Sequence, residues 1–370
     1  MSRIFNPENG GWKAGQYALF MGQNPALHDS INVSAPAIQA LALRQVSQRW
    51  VFDEFNHDQS RLDLTTCPES IYKVMLMNIA YQWEADSVAS RAIAPLLAPF
   101  VTNSELWEAL LENTNMEVTH AKTYSNIVQQ CVPNPGEVFS MVMENERTLK
   151  RAETVNVVFD ELAVMGALKT LKESGLTGFR VMGDDVYYGA IMRGIWALYA
   201  LERIQFMSSF AATFAIVEQG YFQSIGKAVQ KIMLDELFCH AALDREILKV
   251  EMATERGKAW LEANRDWVKM MLDEVVEQET SWAPYLLGDG RSIVGYTPQL
   301  AAEWTAWNAK ECYTLAGVEP ALPAPSRNPL PWMDNWIDVN KTQNAQQEAD
   351  GNNYALNVVK DDLGSDVIDF

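Results

Sequence analysis

The sequence predicts an all-α helical bundle, and three observations lead there. Long stretches keep apolar residues at three- and four-residue spacing, the period of an amphipathic helix. Strand-like alternation is scarce. The breaks between stretches carry helix-stop chemistry: Pro133-Asn-Pro135-Gly136, Gly175-Leu-Thr-Gly178 and Gly288-Asp-Gly290. Long helices joined by short loops pack as bundles, whereas a βαβ fold would alternate strands with helices.

Taken in order, the expected helices run near 36–49, 69–96, 104–131, 136–172, 185–218, 221–250, 257–281 and 297–316. The first ends just before Trp50. The second carries Asp86 among Trp83, Val88 and Ala89, and the third carries Glu117, His120 and Tyr124. The fourth opens after the Pro-Asn-Pro-Gly break and closes at a short non-helical excursion over 172–184. The stretch 185–250 is apolar nearly all round, with Ile191–Ala200 and Phe206–Val217 at its heart. Such helices belong at the centre of a bundle. The seventh closes ahead of Gly288-Asp-Gly290. No repeat of solenoid period is present.

Three regions follow: an N-terminal arm over 1–35, a helical domain over 36–338 and a flexible tail over 339–370. The tail is rich in Asn, Gln and Asp, yet its tip keeps Leu363, Val367, Ile368 and Phe370. Apolar anchors on an acidic tail suit a docking peptide that orders on binding.

Composition narrows the function. The 370-residue chain carries 48 Asp and Glu against 29 Lys and Arg, a formal net charge of −19. That balance disfavours nucleic-acid backbones and anionic lipid. No apolar run is long enough to span a membrane, and the start lacks the layout of a signal peptide, so a cytoplasmic protein is expected. Four scattered cysteines form no C-x-x-C pair. The only histidines are His28, His57, His120 and His240, so any nitrogen-ligated metal must draw on these.

Glu117-Val-Thr-His120-Ala-Lys-Thr-Tyr124 sets a carboxylate, an imidazole and a phenol on one helix face. A lone Glu-x-x-His is weak, because solvated helix faces carry such pairs by chance. The second half comes from the apolar helices. Glu202, Phe206 and Phe210 recur every four residues, as do Ile232, Glu236 and His240. Polar groups on buried helices need partners, and with Asp86 they give four carboxylates and two imidazoles. Ferritin-like di-metal proteins take one Glu from each of two helices and Glu-x-x-His from each of two others. Here Asp86 stands for one Glu, and Glu236–His240 is one residue longer, an excess that a π-bulge absorbs.

With these residues in view, the chain resembles the small, radical-bearing subunit of class I ribonucleotide reductase, a member of the ferritin-like superfamily. The resemblance is carried by Asp86-Ser87, Glu117-x-x-His120-x-x-x-Tyr124, Glu202-x-x-x-Phe206-x-x-x-Phe210, Asp235-Glu236 and Asn328-Pro-Leu-Pro331-Trp-Met-Asp-Asn-Trp336. It implies a ferritin-like bundle in which Asp86, Glu117, His120, Glu202, Glu236 and His240 hold two iron ions as an oxo-bridged pair, with manganese as the alternative. It implies that Tyr124 is oxidised to a stable radical when the reduced metals meet oxygen, and that Phe206, Phe210 and Ile232 shield it. Trp50 and Asp235, beside His120, are then on the route to a large catalytic subunit that reduces ribonucleotides. Tyr354 resembles the tail tyrosine that carries the radical across the interface, and a homodimer docking through its tail is implied. The family often has an arginine where Leu234 stands.

Two other readings keep the metal site. A di-metal oxidase acting on a small substrate has no need of a docking tail, and an iron-storage protein is usually much shorter.

Overall fold

Apolar periodicity places four helices around a shared interior, and that interior holds the acids and imidazoles. In this computed structural model, residues 5–176, 178 and 181–339 are described. The main helices are α1 (Pro36–Ser47), α2 (Glu69–Ala92), α3 (Ser104–Cys131) and α4 (Glu153–Glu173). Helix α5 runs as Asp184–Ala200, a π turn over Leu201–Phe206, then Met207–Val217. Helix α6 runs as Gln223–Asp235, a π turn over Glu236–His240, then Ala241–Ala253. Helices α7 (Glu255–Leu286) and α8 (Pro298–Ala316) complete the set. Among the described residues β structure is confined to two isolated bridges, Phe20 to Val101 and Ile293 to Tyr296.

Helices α2, α3, α5 and α6 pack against one another. Helix α1 covers α3, α4 lies on the first part of α5, and α7 pairs with α8 across α5. This is a ferritin-like bundle with added helices. The expected apolar centre is there: from Tyr187 to Val217 nearly every residue of α5 is buried, including Trp196, Phe206, Phe210 and Phe214.

Helix ends follow local chemistry. Asn103 caps α3, its side chain accepting from Leu106 N at 2.7 Å. Helix α2 stops at Ala92 and a separate turn covers Ala94–Leu97, because Pro95 has no N–H to continue the ladder and its ring would clash with the carbonyl four residues back, at Arg91. Thr254 caps α7 through Gly257 N at 3.0 Å.

One expected helix is corrected. The stretch 136–172 is three helices: Pro135–Met143, Glu146–Arg151 and α4. Asn145 turns its side chain onto Arg147 N at 3.0 Å, satisfying a new helix start and ending the old one. Helix α6 begins at Gln223 rather than 221, since Phe222 adopts a left-handed backbone with φ of 58°.

The closing segment is seated on the bundle. Trp336 stacks on Phe214 with centroids 4.4 Å apart and donates to Glu218 Oε1 at 2.8 Å. Its carbonyl accepts from Gln230 Nε2 at 2.8 Å.

Candidate metal centre

Two of the four inner helices deliver acids to one close cluster, and the acids of the other two lie outside it but within its electrostatic reach. Helix α2 brings Asp86, α3 brings Glu117 and His120, α5 brings Glu202, and α6 brings Glu236 and His240. All six are at most 1% exposed. Ligand atoms of Glu117, His120, Glu236 and His240 all lie within 4.8 Å of one another. His240 Nδ1 is 2.6 Å from Glu236 Oε2 and 2.8 Å from Glu117 Oε1. His120 Nδ1 is 2.8 Å from Glu236 Oε1 and 3.7 Å from Glu117 Oε2.

The two π turns face each other across this group. A π turn spreads one extra residue over the helical rise. At Glu236–His240 it takes up the four-residue spacing, so both side chains still point inward. The second, around Glu202, has no spacing anomaly to announce it.

The electrostatics are those of a site short of positive charge. Burial, then the nearby carboxylates of Glu117 and Glu236, hold the Asp86 carboxyl far above its ordinary range. Burial, then Glu236 and Glu117, do the same to Glu202. Burial disfavours a charged imidazole at His240, yet Glu236 and Glu117 overcome it and raise the ring to about 10. His120 is likewise raised against its burial, by Glu236 and Asp235. Glu236 is pulled down despite burial because both imidazoles face it.

Both oxygens of Asp86 and Glu202, with His240 Nε2, are buried without a hydrogen-bond partner, while the oxygens of Glu117 and Glu236 face the two imidazoles. Unpaired buried acids are costly, and cations compensate them. Four carboxylates match the charge of two divalent ions, and oxygen with imidazole nitrogen suits iron or manganese. The donor set fits a dinuclear metal centre.

Around it, Asp235 Oδ2 lies 3.2 Å from His120 Nε2 and accepts from Trp50 Nε1 at 2.7 Å. The Trp50 and His120 rings stack at 5.9 Å. Tyr124 is fully buried with its hydroxyl unpartnered. Burial, then the carboxylates of Asp86, Glu236 and Glu117, raise its phenol well above the ordinary value. Phe206 and Phe210 stack at 5.7 Å, and Ile232 is fully buried. Tyr354 lies outside the described residues.

Two charged residues near the site escaped the sequence reading. Asp244, buried one turn beyond His240, is held well above the ordinary carboxylate range by burial, with His240 opposing and Glu117 and Glu236 adding to the rise. Lys231, one turn before Asp235, sits over Trp50. The four-residue spacing rule applied once more along α6 would have found both.

Fold and donor set together define a ferritin-like dinuclear metal protein. The family model for "Ribonucleotide reductase, small chain" matches residues 30–329, and the chain belongs to that family. A similar protein is the "Ribonucleoside-diphosphate reductase subunit beta" of Haemophilus influenzae, 27% identical over 348 residues, which are 91% of each chain. Among solved structures, the ribonucleotide reductase R2 subunit from Clostridium botulinum superposes with a TM-score of 0.74 at 20% identity, covering 90% of this chain and 97% of that one. The Streptococcus sanguinis dimanganese(II)-NrdF superposes at 0.63 with 18% identity, covering 86% and 98%. These structural likenesses speak to the fold. The chain is thus the radical-supplying small subunit of a ribonucleotide reductase, an oxidoreductase whose partner is a large subunit. Among the described residues no helix is long and apolar enough to cross a membrane.

Proposed function

We propose that Tyr124 is the radical residue of this subunit, beside two iron ions held by Asp86, Glu117, His120, Glu202, Glu236 and His240. The observation that carries this reading is a dry, unpartnered phenol lying in the field of three of the proposed ligands. When bound, the metal pair supplies oxidising power from oxygen sufficient to take one electron from a phenol. Manganese suits the same donors, and the Streptococcus sanguinis neighbour is a dimanganese protein. Metal analysis separates the two.

The chain's own residues then do three things. Buried Phe206, Phe210 and Ile232 exclude water and reductants from the phenoxyl. Asp235 accepts from Trp50 Nε1 and stands against His120 Nε2, a contact that would leave Nδ1 of the neutral imidazole free to hold a metal. Trp50 and Asp235 lead outward towards the large subunit, with Tyr354 as the crossing point. The region 36–338 forms the metal-binding domain of a homodimer in the cytoplasm, and residues 339–370 dock into the large subunit.

Protein loaded with ferrous iron and oxygen gives an organic radical by electron paramagnetic resonance. Tyr124→Phe removes that signal and keeps both metals. The same radical in the variant overturns the assignment.

A further inference from the structure

Trp50 has a second charged neighbour besides Asp235. Lys231 Nζ lies 5.6 Å from the centre of the Trp50 ring and 5.4 Å from that of Phe55. It is ion-paired with Glu54, and the two side chains are 16% and 12% exposed. The arrangement joins two elements: Glu54, Trp50 and Phe55 come from the segment after α1, while Lys231 and Asp235 lie one turn apart on α6. Burial lowers the amine to about 8, with Asp235 opposing, so the cation persists at neutral pH.

We propose that Lys231, held by Glu54, is a positioning residue that restrains oxidation of Trp50. The inference rests on the reading above, in which Trp50 lies on the route from Tyr124. A cation near an indole is attracted to the ring's electron-rich face. Loss of one electron leaves a positive ring, and attraction turns to repulsion across a short, partly desolvated distance. Asp235 acts in the opposite sense, since a carboxylate on Nε1–H favours the oxidised ring. Trp50 therefore sits between a group that eases electron loss and one that resists it. At rest the balance keeps the unpaired electron on Tyr124.

The step being restrained balances as follows. A small hydroxamate in solution gives up one electron and one proton. Trp50 passes one electron to the Tyr124 phenoxyl and is refilled by the hydroxamate, and the phenoxyl takes up a proton to become the phenol. Without the Lys231 cation the intermediate Trp50 cation is easier to form.

The test is the decay of the tyrosyl radical in fully loaded protein exposed to that hydroxamate, followed by electron paramagnetic resonance. Lys231→Met shortens the lifetime at least tenfold, and Lys231→Gln gives the same reading should the Met variant load metal poorly. Lys231→Arg, which keeps a cation, restores the parent lifetime. In a Trp50→Phe background the Lys231→Met effect disappears. An unchanged lifetime in both Lys231→Met and Lys231→Gln overturns the inference, as does an effect that persists without Trp50. Absence of any Tyr124-dependent radical in the parent overturns the reading beneath it, and the restraint falls with it.

Discussion

Glu236 faces both imidazoles, at 2.8 Å from His120 and 2.6 Å from His240, and so governs the protons of the metal-free site. Its carboxylate helps hold the His240 ring charged up to about 10. A metal ligand must be the neutral imidazole, so loading expels protons. Metal affinity should rise with pH from 6 towards 9, with protons released on binding, as titration in weakly buffered solution will show. For the metal-free fold the sign is opposite. His240 has a folded value above its ordinary 6.5. The stability from its proton is therefore full below about 6.5 and lost as pH rises through about 10. His57 runs the other way. Burial alone lowers it to about 4, while Nδ1 keeps Ser224 Oγ at 2.9 Å. Its contribution is full above about 6.5 and lost as pH falls through about 4. His57→Gln should flatten thermal stability across that acid window. Asp235→Asn should weaken metal binding about 10- to 100-fold, the usual cost of removing a partner behind a ligating histidine, read by competition with a chelator.

At the scale of elements, the long inner helices owe their direction to apolar spacing and their ends to small local features. The π turn at Glu236–His240 shows how a helix absorbs an extra residue without turning a ligand away. Three-residue spacing on α3 and four-residue spacing on α6 deliver the same pair of groups to one centre. The junction of α6 and α7 depends on Gly257. A β-carbon there would lie 1.9 Å from the carbonyl oxygen of Glu251, on the preceding helix. Gly257→Ala should force the two helices apart and cost about 1–3 kcal/mol, seen as a lower thermal midpoint. Since α6 carries Glu236 and His240, weaker metal retention should accompany it.

Across the whole molecule, the four inner helices converge on acids whose mutual repulsion, when charged, would drive them apart. Metal is therefore expected to act as a staple between α2, α3, α5 and α6. A ligand bound to the native state at a hundred times its dissociation constant adds about 2.7 kcal/mol. Stripping the metal should lower the thermal midpoint accordingly, and calorimetry before and after chelation will measure it. In the function proposed above, partner binding is assigned to residues 339–370. A protein ending at Val339 should keep its radical and lose the large subunit, tested by co-sedimentation of the two subunits.

The sequence by itself determined the bundle, because apolar period and stop residues are local properties. It also determined the ligand types, because three- and four-residue spacing puts Glu117, His120 and Tyr124, or Glu236 and His240, on one face of a helix. What spacing leaves open is which faces meet. Only the tertiary structure decided that Glu236 reaches both imidazoles, that Trp50 donates to Asp235 across 185 residues of chain, and that Lys231 lies over the same indole. It also decided that Asn145 ends one helix and begins another, since an asparagine's choice between turn and helix depends on what its neighbours pack against. Contacts between distant segments are set by which packing buries the most surface with every polar group partnered, and that is a property of the assembled chain.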